Sequence, residues 1–231
     1  MAAAVSHAPV ILKPHEPVAE RVLLPGDPGR ALRLAQELIV GPRMLNHHRG
    51  LWGYSGPAAD GAPLTIQSTG LGGPSAAAVV GELVELGARR LVRVGTAAGL
   101  GSTRLGTLVV ADAAIAADGA SRALGAGERV DADPRLTAAL AAPEAARGLV
   151  ASADIHDPVL AARWTEAGAL ACDLATAAVL AAAARRGAAA AAVLAITRVR
   201  DERVDEDALA SLESALGAIG AAALALPDGE R

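Results

Sequence analysis

Short apolar runs alternate with segments of helical spacing along most of this 231-residue chain. The apolar runs are bounded by glycine, proline or polar residues, as in Arg21–Pro25, and predict strands. The segments between them repeat apolar residues every three or four positions, as in Ala31–Leu38, and predict helices. Strands that alternate with helices are typical of a parallel or mixed sheet covered on both faces. The sequence therefore predicts an α/β fold with a mixed central sheet flanked by helices on both sides.

The predicted elements fill the chain without a Ser/Gly-rich linker, so we expect one domain over residues 1–231, with residues 1–20 as an N-terminal arm. Strands are predicted at 21–25, 40–45, 51–55, 63–68, 91–94, 107–111, 113–117, 148–153, 169–172 and 189–197. Helices are predicted at 31–38, 74–86, from 134, and at 158–166, 174–186 and 206–224. Glycines 95 and 99 are expected to end the strand that begins at residue 91.

Composition excludes several classes of partner. The net charge of −4, with no basic stripe and only 1% aromatic residues, argues against a nucleic-acid surface. The apolar runs at 174–184 and 188–196 are too short to span a bilayer, and residues 1–13 lack the pattern of a signal peptide. The single cysteine, Cys172, excludes an internal disulfide and fits a reducing compartment. We therefore expect a cytoplasmic protein that contacts neither nucleic acid nor membrane.

Arg93 lies in the middle of an apolar strand, where an unpaired charge would cost several kcal/mol. It must therefore meet a carboxylate in the protein or a bound anion. Arg30 and Arg49 also stand at strand–loop junctions, beside or near glycines whose backbone N–H groups are accessible. Three such arginines are typical of a phosphate site, and a structural ion pair is the alternative for Arg93.

Three motifs occur in an order and spacing that make a resemblance specific. They are Pro25-Gly26-Asp27-Pro28 with Arg30, the loop Ser68-Thr69-Gly70-Leu71-Gly72-Gly73-Pro74-Ser75, and Arg93-Val94-Gly95-Thr96. Together they resemble the nucleoside phosphorylase family that contains uridine phosphorylase and hexameric purine nucleoside phosphorylase. The resemblance runs from residue 21 to the last helix and is strongest before residue 121. It implies cleavage of a nucleoside by inorganic phosphate to a free base and a (deoxy)ribose 1-phosphate, in nucleoside catabolism and salvage.

The resemblance also implies site residues. Phosphate would be bound by Gly26 through its backbone and by Arg30, Arg93 and Thr96, with Arg49 reaching into the site of a neighbouring subunit. Residues in four segments would contact the nucleoside. Arg93 would have a catalytic role, and Asp201 would act as the general acid toward a purine. The expected nucleoside contacts are His7 (or His15) near the N-terminus, Thr69, Gly70, His156, Asp173 and Leu174.

The chain departs from the family pattern at the sugar site. Where the family has Glu-Met-Glu, this chain has Asp173-Leu174-Ala175, so the carboxylate that would accept hydrogen bonds from the sugar 2′- and 3′-hydroxyls is missing. Each such bond contributes about 1.5–3 kcal/mol. Three explanations are open: Asp173 replaces that carboxylate, the preferred sugar lacks a hydroxyl, or catalysis is impaired. Asp173 alternatively serves as a helix N-cap.

The residues expected to contact the base do not decide between a pyrimidine and a purine nucleoside. His156 stands where purine enzymes place an aromatic ring, and Asp201 where they place an aspartate, but Asp201 is alternatively one acid in a charged run. The glycine loop at 68–75 and Asp118-Gly119-Ala120-Ser121 resemble the uridine branch, although its uracil-reading insertion is absent. We expect a uridine phosphorylase-like enzyme. The alternatives are a purine nucleoside phosphorylase, a relative that binds without turnover, and a hydrolytic nucleosidase, against which the arginine set argues.

Relatives assemble from dimers into hexamers, so the resemblance implies a homo-oligomer. No cofactor is expected beyond phosphate as co-substrate. The pair His47-His48 lacks further spaced ligands, so no metal site is expected.

Overall fold

The computed structural model describes residues 9–142 and 144–225, which form an α/β fold. The strands are β1 (Arg21–Pro25), β2 (Arg43–Asn46), β3 (Gly53–Pro57), β4 (Pro63–Gln67), β5 (Arg90–Gly99), β6 (Leu108–Ala116), β7 (Arg129–Asp131), β8 (Ala146–Ser152), β9 (Ala171–Asp173), β10 (Ala189–Val199) and β11 (Glu202–Arg203). The helices are α1 (Pro28–Leu38), α2 (Gly72–Glu85), α3 (Gly119–Ala123), α4 (Pro134–Ala139), α5 (Pro158–Glu166), α6 (Thr176–Arg185) and α7 (Glu206–Ala225). The predicted mixed sheet is confirmed.

The strands form one sheet whose middle is parallel. β5 pairs in parallel with β1 on one side and with β10 on the other, while β4 adds in parallel beyond β1. β2 and β3 extend this side as antiparallel strands. β5, β9, β8, β6 and β10 pair in succession, and the β10–β5 pairing closes them into a ring. The carboxyl ends of β1, β5 and β10 therefore meet at one edge, where α/β folds bind their ligands.

Helices cover the sheet on two sides. α2 and α6 pack together in one core cluster that contains Val79, Leu83 and Val179. α1 and α7 pack in a second cluster that contains Leu34 and Leu216. Each helix thus buries its apolar face against the sheet, as the alternation of strands and helices predicts.

α7 has the length and hydropathy of a membrane span, with a mean hydropathy of 1.6, and is the one such helix in the described part of the chain. Its apolar character is explained by packing. A Cβ placed on Gly217 would lie 2.3 Å from Cδ2 of Leu34, and one placed on Gly220 would lie 3.0 Å from Cγ1 of Val94. The two glycines therefore let α7 approach α1 and β5 closely.

The structure corrects the predicted end of the strand around Arg93. β5 continues through Gly95 and ends at Gly99. Gly95 is required for space: a Cβ there would lie 2.9 Å from Nη2 of Arg93 and 2.9 Å from Cδ2 of Leu194. This glycine therefore makes room for the arginine side chain within an unbroken strand.

Two further differences concern strands. The two strands predicted at 107–111 and 113–117 are one strand, β6, with an irregularity in its pairing to β8 between Ala111 and Ala113. β7 and β11 were not predicted, because two or three residues give no periodicity to detect. β11 matters for function, since it brings a charged residue to the site described next.

Candidate active site

A cavity of about 480 Å³ opens at the carboxyl edge of β1, β5 and β10. Its walls come from the β1–α1 loop, the loop before α2, the end of β5, the β9–α6 junction and the β10–β11 hairpin. Most of the predicted site residues line it, namely Gly26, Arg30, Gly70, Arg93, Thr96, His156, Asp173 and Leu174. Segments far apart in the sequence are thus brought to one place.

The β1–α1 loop presents the start of a helix to the cavity. α1 begins at Pro28, and the Asp27 carboxylate caps it by accepting a hydrogen bond from the Arg30 N–H at 2.8 Å. Proline suits this first position, where no N–H is needed. The positive end of the α1 dipole and the backbone of Gly26 therefore face the same space, which favours an anion.

Arg30 is buried, and its guanidinium group contacts residues of α7 and β5. Its Nη2 lies 2.7 Å from Oε1 of Glu213 on α7, and Nη1 donates to the Val94 carbonyl at 3.4 Å. The other carboxylate oxygen of Glu213 lies 2.9 Å from Arg33. Nε of Arg30 has no partner among the described residues. Glu213 therefore fixes the guanidinium group while Arg30 keeps a free donor.

We expect Glu213→Gln to lower the free energy of unfolding by about 3 kcal/mol, because it leaves the buried Arg30 guanidinium without its counter-charge. Urea denaturation measures this. Glu37→Gln is the matched control: Glu37 is exposed on α1 and contacts Ser214 of α7, so its change should stay within about 0.5 kcal/mol. Equal effects of the two substitutions would contradict the assigned role of Glu213.

Arg93 meets a carboxylate, as its place in an apolar strand requires. It is 6% exposed, and its Nη2 lies 2.8 Å from Oδ2 of Asp173. Its Nε donates to the same oxygen at 3.1 Å and to Oγ1 of Thr176 at 3.1 Å. Nη1 is buried without a partner in the described part of the chain. The two expectations for Arg93 therefore coexist, because the residue is paired with a carboxylate and also lines the cavity.

Asp173 is surrounded by donors. Besides Arg93, its oxygens accept hydrogen bonds from the hydroxyl of Ser152 at 2.6 Å, the hydroxyl of Thr176 at 2.7 Å and the Thr176 N–H at 3.1 Å. The last contact satisfies the N–H of the first residue of α6, but the N-cap position is Ala175, so Asp173 does not take the N-cap role named as its alternative. Because its carboxylate is buried and already engaged, a sugar hydroxyl would have to displace one of these donors.

The next two residues also line the cavity. Leu174 is half-buried, and Ala175 is 2% exposed and presents only a methyl group where the family has a carboxylate. No side-chain acceptor replaces it at this position. The sugar-binding prediction for Asp173 and Leu174 therefore stays a prediction, made on placement alone.

The glycine loop before α2 is anchored to β1. The Thr69 N–H donates to the Pro25 carbonyl at 2.9 Å, and the hydroxyl of Ser75 donates to the Thr69 carbonyl at 2.6 Å. Gly70 has φ +71°, and a Cβ there would lie 2.6 Å from Oγ of Ser75. Gly70 thus lines the cavity, whereas Thr69 is fully buried beneath it.

Besides Thr69, two described residues of the predicted site do not line this cavity. Arg49 is exposed on a short 3₁₀ turn at φ +59°, and Asp201 is exposed in the turn between β10 and β11; neither is on the cavity wall. His7 lies outside the described residues; His15, the alternative to it, stacks on His47 with ring centres 5.6 Å apart. The general-acid role of Asp201 stays a prediction.

The structure adds residues that sequence reasoning did not select, namely Cys172, Thr197, Arg198 and Arg203. Burial raises the pKa of the Cys172 thiol, and Asp173 raises it further while Arg198 opposes this, so the thiol stays protonated. Although the His156 ring is partly exposed, desolvation at the wall lowers its pKa, and the Arg198 charge lowers it further against the opposing effect of Asp173. His156 is therefore neutral at physiological pH.

Comparisons with known proteins agree on a family. A family model described as the phosphorylase superfamily matches residues 20–226. A uridine phosphorylase of Treponema pallidum is 41% identical over 46% of this chain and 40% of its own length. A DeoD-type purine nucleoside phosphorylase of Clostridium perfringens is 43% identical over 36% of this chain and 35% of its own length. A crystal structure of uridine phosphorylase from Vibrio fischeri ES114 superposes with a TM-score of 0.83 and 26% identity, covering 96% of this chain and 98% of that one.

Proposed function

The chain belongs to the phosphorylase superfamily, and on that premise we propose that it is a nucleoside phosphorylase of the uridine phosphorylase type. The observation that carries the proposal is the pair of buried arginines, Arg30 and Arg93, which both line the cavity beside the start of α1 and each have one guanidinium nitrogen without a partner among the described residues. The matched regions span less than half the length of the curated relatives, so the reaction and its substrate are assigned here from the site.

Phosphorolysis requires a desolvated phosphate dianion beside the anomeric carbon. A phosphate oxygen donates an electron pair to C1′, the C1′–N bond breaks, and its electron pair leaves with the base. Arg30, Arg93, Thr96 and the Gly26 backbone would hold the dianion, whose charge then stabilises the positive charge that develops on the sugar. Fixed guanidinium groups suit this task because Glu213 and Asp173 already orient them.

The uridine-type substrate is supported by the matched relatives and by the position of Asp201. A uridine phosphorylase is among the matched proteins, and uridine phosphorylases are structural neighbours. A purine substrate is the second candidate because DeoD-type purine nucleoside phosphorylases also match. It depends on an acid that protonates the base, and Asp201, the residue predicted for that role, is not on the cavity wall. The pyrimidine assignment is therefore preferred.

The remaining parts of the assignment are expectations from the family. We propose a cytoplasmic homo-oligomer built from dimers, in which Arg49 and a histidine near the N-terminus complete the site of a neighbouring subunit. The exposure of Arg49 on a turn away from its own cavity is compatible with that role. A relative that binds phosphate and nucleoside without turnover is the non-enzymatic alternative, favoured by the methyl group of Ala175.

The test is base release from uridine, thymidine, inosine and adenosine, each with and without inorganic phosphate, followed by ultraviolet absorbance. We expect release that requires phosphate and is fastest with uridine. Faster release from inosine would transfer the assignment to purines. Release independent of phosphate would indicate a hydrolase, and ligand-induced stabilisation without release from any nucleoside would indicate a binding protein.

A further inference from the structure

The cavity wall carries more positive than negative charge. Four arginines line it against two aspartates. Asp173 is paired with Arg93, and Asp27 is exposed and caps α1 through its Oδ1. Arg30 has its own counter-charge in Glu213, outside the cavity wall. Two arginines, Arg198 and Arg203, remain without an ion pair to any acid of the described residues.

Arg198 and Arg203 stand directly opposite each other on the antiparallel β10–β11 hairpin. Residues in this relation have side chains on the same face with Cβ atoms about 5 Å apart, and like charges placed so are destabilising. Neither side chain has a hydrogen bond or ion pair with any residue in the described ranges 9–142 and 144–225. The hairpin therefore holds two guanidinium groups without an ion pair, that of the half-buried Arg198 and that of the exposed Arg203, at one place on the cavity wall.

This pair lies apart from the phosphate residues along the sheet. Arg198 is in register with Ala98 of β5, two residues beyond Thr96 toward the carboxyl end. At the rise of a strand, that offset is about 7 Å. Arg198 also acts electrostatically on His156, which lines the same cavity. If Arg30 and Thr96 hold the phosphate, Arg198 and Arg203 are available to the rest of the ligand.

We propose that the nucleoside bound by this protein carries an oxyanion, a carboxylate or a phosphate, which Arg198 and Arg203 bind together. This rests on the function proposed above and narrows its substrate class to acidic nucleosides. A carboxylate accepts paired N–H donors from guanidinium groups and removes the repulsion between the two arginines. The methyl group of Ala175 is consistent with an acidic ligand, because a carboxylate at this position would add a negative charge to the cavity wall and repel that ligand.

The experiment compares acidic nucleosides with neutral partners of similar shape by isothermal titration with sulfate in place of phosphate, so that an anion fills the phosphate site and the nucleoside is not cleaved. One arm uses 5-carboxyuridine and its methyl ester, which places the oxyanion on the base; the other uses uridine 5′-monophosphate and uridine, which places it on the sugar. We expect the acid to bind at least about tenfold more tightly than its neutral partner in one arm, as charge-assisted hydrogen bonds predict. The arm that shows the preference identifies the position of the oxyanion.

The variants Arg198→Gln and Arg203→Gln should each reduce that preference, and the double variant should abolish it, because the acid loses more affinity than its neutral partner. Arg200→Gln is the matched control, since Arg200 lies in the same turn, is exposed and is not on the cavity wall. It should keep the full preference.

Equal affinity for acid and neutral partner in both arms would overturn the proposal, as would a loss of affinity in the double variant that is equal for both. The function proposed above fails separately. If no nucleoside, acidic or neutral, releases base in the presence of phosphate, the enzyme assignment falls, whereas the binding preference still reports on the arginine pair.

Discussion

Arg93→Lys is expected to lower phosphate-dependent turnover by about 10²- to 10³-fold, provided that the enzyme releases base from uridine. A lysine keeps the charge but has no planar group that can contact Asp173 and Thr176 and still donate to a phosphate. Loss of one or two charge-assisted hydrogen bonds in the transition state accounts for that magnitude. Steady-state kinetics with varied phosphate would measure both kcat and the KM for phosphate.

The substitution to alanine is less informative, because it leaves the Asp173 carboxylate buried without its counter-charge and should lower stability by about 3–5 kcal/mol. Arg147→Lys is the control for the lysine variant. Arg147 lies on β8, is largely exposed and contacts Asp112, so neither turnover nor melting temperature should change appreciably. Full activity of a folded Arg93→Lys enzyme would remove Arg93 from the phosphate site.

The second large effect concerns the sugar. Because the wall presents the methyl group of Ala175, we expect kcat/KM for uridine and for 2′-deoxyuridine to be similar in the natural enzyme. Ala175→Glu should raise the preference for uridine by about tenfold or more, since a carboxylate there would accept a hydrogen bond from the 2′-hydroxyl. Ala175 immediately precedes α6, and an acidic side chain is also compatible with a helix N-terminus.

Ala175→Gln separates charge from size, because glutamine fills the same space and accepts a weaker hydrogen bond. It should shift the ratio of the two kcat/KM values by much less than glutamate does. Melting temperatures would establish that both variants fold, since Ala175 is nearly inaccessible to solvent. An unchanged ratio in a folded Ala175→Glu enzyme would show that the sugar hydroxyls do not lie at this position.

Local sequence patterns predicted most of the elements that build the site. Helix α5 begins and ends at the predicted residues, where Pro158 starts it and the Asp157 carboxylate caps it. β1 also has the predicted bounds, and its apolar run is wholly buried. Such elements depend on residues within a few positions of one another, so the sequence contains the information directly. Boundaries failed at Gly95, where tertiary packing rather than a turn requires the glycine.

The sequence by itself determined that this chain alternates strands and helices, and its motifs predicted an anion site formed by Gly26, Arg30, Arg93 and Thr96. Only the tertiary structure decided which of the arginines at the site pair with a carboxylate and which do not. Asp173 reaches Arg93 across 80 residues of sequence because β9 pairs with β5, and Arg198 faces Arg203 because a two-residue strand folds back on β10. Strand order is set by burial over the whole sheet, so charge pairing across it has no local signature.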